Sequence, residues 1–359
     1  MDILVQENTL RTFVEQVFET LQVSPENAKL CADNLIVADL RGIHSHGVAR
    51  LKRYVDGIQT GLMFPQNQPT IERETPSTAN VNGNACLGQI IGNFSTKLAI
   101  QKAKNTGVGI VTAHNSNHYG IAGYYTMQIL QENMIGLSMT NSAPLVVPTF
   151  GKDMMLGTNP ISMAAPTKNK IPFVLDMATS VVPRGKLEVY SRQEKPLPAG
   201  WAVDETGCSS SDATHILRNM AKTIGGGILP LGGEGELFSG HKGYGLALLV
   251  EILTGVLSGG ATSNQVYGVK NAPPDVSHIF IALKIENFID LPTFQTKLDD
   301  LIERLQNSQK AQNQDHIYIH GEKEHNLTLQ YKQQGIPISD KVYTILKKIA
   351  QDLQIQIPF

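Results

Sequence analysis

Apolar residues recur at helical spacing through the N-terminal part of the chain. Leu10, Phe13, Val14, Val17, Phe18 and Leu21 fall on one face of a first helix; Ala28, Cys31, Ala32, Leu35 and Ile36 fall on one face of a second. Residues three and four apart lie on the same side of a 3.6-residue turn, which is what makes such spacing a helix signal. Ser24-Pro25 reads as a cap followed by proline in the first turn, where its fixed φ fits. Gly42 reads as the close of the second helix, and a third follows Gly47. Residues 1–80 are therefore read as helical. From about residue 81 the texture changes. Short β-branched runs appear at 108–112, 135–140, 161–165 and 171–175, with helical runs at 94–104 and 245–257 between them. A stretch at 144–157 holds two prolines and two glycines, so the pattern predicts a sheet carrying long functional loops. Residues 184–240, with Gly225-Gly226-Gly227 and Gly232-Gly233, read as irregular. Near the C-terminus 279–283 and 317–319 read as strands flanking a helix with Phe294, Leu298, Leu301, Ile302 and Leu305 on one face. A last helix starts after Ser339, with Val342, Leu346, Ile349 and Leu353 apolar.

Composition narrows the function classes. The chain has 359 residues, 41% hydrophobic and 17% charged, which is globular and not disordered. A net charge of −2 offers no basic field for a phosphate backbone, so nucleic acid is not an expected partner. The longest apolar stretch, 245–259, is cut by Glu251 and is too short to span a bilayer. Cys31, Cys86 and Cys208 form no disulfide framework and no CxxC pair. With an acidic N-terminus where a signal peptide needs positive charge, a cytoplasmic location is expected.

Two segments are dense in groups that do chemistry. The first is Arg41-Gly-Ile-His44-Ser45-His46-Gly-Val-Ala-Arg50-Leu-Lys-Arg53-Tyr54. A helix running from His46 places His46, Arg50 and Tyr54 on one stripe, drifting about 40° per step. Val48, Leu51, Val55 and Ile58 make a separate apolar stripe, so one side can face a core and the other a cleft. An arginine in such a cleft grips a carboxylate through two parallel hydrogen bonds. A solvated helix face capped by Ser45 is the plainer reading of the same residues. The second segment is His114-Asn-Ser-Asn-His118-Tyr119-Gly120. Two histidines four apart suggest a zinc helix, but Asn115 stands where the usual Glu would be, and Asn-Ser-Asn is poor helix sequence. A loop leaving a strand end fits better, and a histidine there suits a general base, or it simply bonds to backbone. No G-x-G-x-x-G opens a helix after a strand: the run from Gly107 to Thr112 follows a helix and enters a strand, which is the wrong order. Two other stretches can cradle phosphate, Asp176-Met-Ala-Thr-Ser180 and Ser239-Gly-His-Lys242-Gly-Tyr-Gly245.

Taken together these segments resemble the malate/L-lactate dehydrogenase family that lacks a Rossmann domain, whose relatives include ureidoglycolate dehydrogenase, sulfolactate dehydrogenase, diketogulonate reductase and ketimine reductases. The motifs that carry the resemblance include the Arg41–Arg50 run, Asn117-His118-Tyr119-Gly120, Gly157-Thr-Asn159-Pro160, Asp176-Met177-Ala178-Thr179-Ser180, Gly185-Lys186, Gly240-His-Lys242-Gly-Tyr-Gly245 and Gly321-Glu322. The resemblance implies an α/β, α+β-like fold: a non-Rossmann nicotinamide-binding domain with a largely antiparallel sheet, packed with a helical layer. It divides the chain into a helical segment at 1–80, a cofactor-binding domain at 81–325 and a C-terminal segment at 326–359 on the N-terminal helices. It implies a homodimer acting on a small 2-hydroxy or 2-oxo acid with NAD or NADP. His118 becomes the general acid/base; Ser45, His46, Arg50 and Tyr54 become substrate residues. Ser142, Asp176, Met177, Ala178, Lys242, Gly321 and Glu322 become cofactor residues, and no metal is implied. The sequence departs from the family at Pro183, at His320 and in the acidic run Gly232-Gly-Glu-Gly-Glu. Reduction of a cyclic ketimine or diketo sugar acid, or ureidoglycolate oxidation, is the alternative on the same frame, and a metal hydrolase using His44, His46, His114 and His118 the alternative outside it.

Overall fold

The computed structural model describes residues 2–359. Strand β1 (Ile3–Val5) leads into helices α1 (Glu7–Thr20), α2 (Pro25–Leu40) and α3 (Leu51–Gln59), the last entered through a 3-10 turn at Val48–Arg50. Then follow β2 (Thr70–Glu74), β3 (Thr78–Asn82), α4 (Gly88–Thr106), β4 (Val108–Ser116), α5 (Ala122–Gln131), β5 (Met134–Thr140), β6 (Ile161–Ala165) and β7 (Phe173–Met177). The next stretch holds α6 (Arg184–Arg192), β8 (Ala202–Val203), α7 (Ala213–Lys222), β9 (Gly227–Ile228) and α8 (Gly240–Glu251), which runs on into a π-helical turn at Ile252–Val256. The chain closes with β10 (Val276–Lys284), α9 (Leu291–Gln306), α10 (Glu322–Gln334), β11 (Ile336–Ile338) and α11 (Asp340–Asp352).

One seven-stranded sheet organises the molecule, in the order β2-β3-β4-β10-β5-β6-β7. Only β3 and β4 run parallel; every other neighbouring pair is antiparallel. Strand β10 lies at the centre between β4 and β5, and its sequence, Val-Ser-His-Ile-Phe-Ile-Ala-Leu-Lys, is buried along most of its length. A strand covered on both faces reads as a near-continuous apolar run, and this one does. The mixed α/β class and the largely antiparallel sheet agree with expectation. Gly107 caps α4 with φ +91° and hands the chain to β4, so the glycines there end a helix and begin none.

The largest core lies among α1 to α5, the sheet and α11, with Leu10, Phe13, Phe18, Leu35, Tyr54, Tyr125 and Leu346 wholly covered. Pairing of β1 with β11 ties the two chain ends together. A second core gathers Val146, Leu187, Ile216, Ile228 and Ala247 around α6, α7 and α8.

Several expectations need correction. Residues 1–80 are not all helix: they contain β1, β2 and the start of β3. Strand β2 is exposed throughout, which erases the alternation that would reveal it. The 184–240 stretch is not irregular, since α6 and α7 bury Leu187, Ile216 and Met220 between glycine turns. Residues 317–319 form no strand; they lead into α10, a helix without a fully buried residue and hence without an apolar face to read.

Candidate active site

The Ser45-His46 loop is built on a buried carboxylate. Asp39, 2% exposed near the end of α2, accepts the Val48 N–H at 2.7 Å and faces His44 Nδ1 at 2.9 Å. It thereby caps the 3-10 turn that enters α3. A Cβ at Gly47 would overlap that carboxylate, so only glycine lets the loop wrap so closely. The loop sends Ser45 and His46 outward, with Ser45 Oγ 2.9 Å from His46 Nδ1, and Arg50 Nε donating to the Ser45 carbonyl at 2.6 Å. Because the helical turn starts at Val48, His46 precedes it. Tyr54 leaves the polar stripe altogether: it is fully buried beside Phe18.

His118 follows the end of β4 on a loop fixed from three sides. Asn117 Nδ2 donates to the Cys86 carbonyl at 3.0 Å, Asn34 Nδ2 donates to the Tyr119 carbonyl at 3.2 Å, and Asp176 accepts the Gly123 N–H at 2.7 Å in the first turn of α5. Gly120 has φ +85°, and a Cβ there would run into Asn34. Beneath the loop Tyr119 stacks on His278 at 4.3 Å and on Tyr125 at 4.6 Å. His278 is held between Thr140 Oγ1 at 2.7 Å and Ser116 Oγ at 2.8 Å, and burial pushes its pKa down to about 3.

These two loops meet. Tyr54 Oη lies 2.7 Å and the Gly120 nitrogen 3.3 Å from His118 Nδ1, and the His46 ring stacks on the His118 ring at 5.5 Å. With Nδ1 engaged, Nε2 is the nitrogen left for the space in front. That space is a cavity of about 550 Å³ lined by Ser45, His46, Arg50, Arg53, His118 and Thr140, among others. Asn141, Ser142 and Thr158 form one wall, and Arg184, Gly185 and Lys186, at the start of α6, form another. Four of the described lining residues are cationic and none is acidic. Burial lowers the pKa of His118, and Arg53, His46 and Arg50 lower it further. His46 falls to about 4, from burial and then from Arg50 and Arg53. Both rings are therefore neutral when nothing anionic is bound.

The structure brings Ser45, His46, Arg50, His118 and Ser142 into this cavity and places Tyr54 directly behind it. The other sequence candidates lie outside its lining. Asp176, raised to about 6 by burial, anchors α5 and the His118 loop from behind; Met177 follows it in β7. Ala178 continues that segment. Lys242 is exposed in the first turn of α8. Gly321 is the left-handed residue before α10, and Glu322 spends its carboxylate on His316, Gln306 and the Ile319 N–H. The four histidines of the hydrolase alternative do not converge: His44 turns to Asp39 and His114 to Glu72, leaving His46 with His118.

Sequence reasoning named Arg53 only within the Arg41–Tyr54 segment and passed over Tyr267 and Glu251. Arg53 and Tyr267 line the cavity and bond to each other. Glu251, 3% exposed, accepts from Asn159 Nδ2 at 3.0 Å, Asn141 Nδ2 at 3.4 Å and the Ser263 N–H at 3.3 Å. A lone glutamate inside the apolar 245–257 run was the signal for it, since such a group is retained in a core only when its partners are there.

Comparison with known proteins shows the family. The family model described as malate/L-lactate dehydrogenase matches residues 5–347. A malate dehydrogenase of Pyrococcus horikoshii is 50% identical over 99% of this chain and 96% of its own length. A malate/(S)-sulfolactate dehydrogenase of Methanothermus fervidus is 38% identical over 97% of both chains. Among solved structures, that of malate dehydrogenase from Entamoeba histolytica superposes with a TM-score of 0.95 at 35% identity, covering all of both chains. The Pyrococcus horikoshii structure gives 0.90 at 48% identity over 99% of this chain and 97% of that one. The chain belongs to the malate/L-lactate dehydrogenase family and is a dehydrogenase-type oxidoreductase acting on small hydroxy acids.

Proposed function

We propose that the protein interconverts a small 2-hydroxy acid and its 2-oxo acid with a nicotinamide nucleotide, NAD or NADP, and that His118 is the general acid/base. The observation that carries this reading is the position of His118: Nδ1 held by Tyr54, with the ring facing a cavity lined by four cationic side chains and no acidic one. The residues present suit a nucleotide. Arg184, Gly185 and Lys186 open α6 onto the cavity, and a Cβ at Gly185 meets nothing within 4 Å, which leaves room for phosphate at a helix start bearing positive charge. Ser142 and Thr158 add a hydroxyl-bearing wall. Asp176, Met177, Ala178, Lys242, Gly321 and Glu322 would serve parts of the nucleotide that extend beyond the cavity.

When bound, the nicotinamide ring supplies the hydride acceptor or donor. The chain's own residues do the rest. Arg50 keeps its terminal nitrogens for the substrate carboxylate, a planar fork that fixes orientation. In oxidation His118 Nε2 takes the hydroxyl proton; in reduction the protonated ring returns it. For Nε2 to be free as the base, the neutral ring carries its proton on Nδ1, which donates to the Tyr54 hydroxyl oxygen whether or not Nε2 is protonated. Ser45, His46, Thr140 and Asn141 line the space in which the reacting carbon would sit.

The proposal includes a homodimer. Leu248, Ile252 and Val256 repeat four apart along α8 and its π turn and are 41%, 50% and 61% exposed, with Leu249 and Leu257 beside them. A contiguous apolar face of this kind marks an association surface. A panel of 2-oxo acids offered with NADH and with NADPH tests the reaction. Nucleotide oxidation with at least one small 2-oxo acid is expected; none with any of them overturns the reading.

A further inference from the structure

Strand β10 runs through the middle of the sheet and is mostly apolar and buried, yet it carries a histidine, His278, that is 0% exposed. A buried imidazole is costly unless its polar atoms are bonded, and both nitrogens are. Nδ1 lies 2.7 Å from Thr140 Oγ1 at the end of β5, and Nε2 lies 2.8 Å from Ser116 Oγ at the end of β4. Stability alone does not call for such a row, because apolar groups of the same shape in place of bonded partners leave a core about as stable.

A bulge in the sheet makes the row possible. His278 pairs directly with Thr140 across β5, which sets both side chains on one face. Across β4, His278 pairs with Ala113 while Val276 pairs with Ser116, so β4 carries one residue more than β10 over this stretch, and Asn115 within it takes φ +50°. Without the extra residue, alternation would send Ser116 to the opposite face; with it, Ser116 lies on the His278 side. The row crosses three strands, and both of its ends lead to the cavity. Two residues beyond Ser116 stands His118. Tyr119, the next residue, lays its ring flat on the His278 ring, 4.3 Å away with 4° between the planes. Thr140 itself lines the cavity, and Asn141 and Ser142 follow it in the wall. His278 is not part of that lining, and with both nitrogens engaged it takes no direct part in proton transfer.

We infer that His278 is a positioning residue for the reaction: by bridging Ser116 to Thr140 and backing Tyr119, it sets where His118 stands relative to the Thr140–Asn141 wall. This rests on the reading of His118 as the acid/base and adds to it what fixes that base against the opposite side of the cavity. Misplacing a reacting group by about 1 Å costs roughly a hundredfold in rate, so a strut between two strand ends has a direct kinetic consequence.

The test is a double-mutant cycle on single-turnover reduction of oxaloacetate by NADH, or of whichever 2-oxo acid and nucleotide of the panel above react fastest. His278→Phe keeps a flat ring beneath Tyr119 and loses both hydrogen bonds. In the otherwise wild-type chain it should slow hydride transfer about ten- to hundredfold. Nucleotide affinity, read by fluorescence titration, should stay within about twofold of wild type, the spread expected of an uncoupled site. In the His118→Ala background the same substitution should change the residual rate by less than about twofold, because a residue that acts through His118 then has nothing to position. A near-wild-type rate in His278→Phe, or an equal fold-loss in both backgrounds, overturns the assignment. The His118→Ala chain by itself reports on the base: a near-wild-type rate there sinks the acid/base reading, whereas equal losses leave that reading standing and remove only the strut. Thermal melts identify a variant that does not fold, and if His278→Phe is one, Ser116→Ala, which cuts the strut on the His118 side, carries the same cycle with the same outcomes.

Discussion

The 2.7 Å contact between Tyr54 Oη and His118 Nδ1 fixes the ring, and burial, helped by the cations around it, lowers its pKa. Tyr54→Phe should therefore lower turnover about ten- to hundredfold, less than loss of the acid/base itself, which costs about 10²- to 10⁴-fold. The sign of the pH dependence follows from the lowered pKa of His118. Oxidation needs the neutral ring, so its kcat/KM should stay level as pH falls through about 6.5 and drop only below that. Reduction needs the protonated ring and should gain as pH falls. Arg53→Met removes a positive charge that depresses the ring's pKa, so the acid limb of oxidation should move up toward about 6.5. Rate profiles in both directions check this. Ser45, His46, Arg50 and His118 stood out in the sequence as polar groups dense in two short segments, and only the family motif separated them from a solvated helix face and a backbone-bonded histidine. The place of Tyr54 was not visible, since two residues' difference in where the helix begins turns it from cleft to core.

At the scale of elements, buried carboxylates hold the loops that form the cavity: Glu251 and Asp176, besides Asp39 under the Ser45-His46 loop. Glu251 ties α8 to the Asn141 and Asn159 walls and to the start of the Tyr267 segment. Glu251→Ala leaves those N–H donors without an acceptor and should cost about 1–3 kcal/mol in denaturant unfolding, with activity falling alongside. Asp176 behaves differently with pH. Its folded pKa is raised from 3.8 to about 6, chiefly by burial, so the stability linked to its neutral form is complete below about pH 3.8 and is lost as pH rises through about 6. Asp176→Asn keeps an acceptor for the Gly123 N–H and removes that loss. The variant should match wild type near pH 4 and be more stable near pH 7, by up to about 3 kcal/mol; thermal melts across that range decide. Elements with one buried and one wet face, such as α1, α9 and α11, were legible from spacing alone. Exposed elements such as β2 and α10 were not, because they bury no face that would leave a periodic apolar pattern.

For the whole molecule, the order of strands explains why no glycine fingerprint exists. A sheet with β10 between β4 and β5, antiparallel to both, keeps only one parallel crossover, β3-α4-β4, and its turn, Gly83-Asn-Ala-Cys-Leu-Gly88, lacks the fingerprint, so the proposed nucleotide site is built from loops and the start of α6. The sequence showed that absence clearly. The sheet order was not readable from it, because the pairing of β10 with β4 joins residues far apart in the chain. The exposed face of α8 and its π turn predicts a particle of twice the chain mass in light scattering, and Ile252→Glu with Val256→Glu should halve it. The measurement that bears most directly on the account is single-turnover hydride transfer, followed by nicotinamide absorbance, in wild type and His118→Ala with nucleotide affinity measured in parallel. The account predicts a rate about 10²- to 10⁴-fold lower in the variant with nucleotide affinity nearly unchanged. A hydride-transfer rate close to wild type in His118→Ala would contradict it.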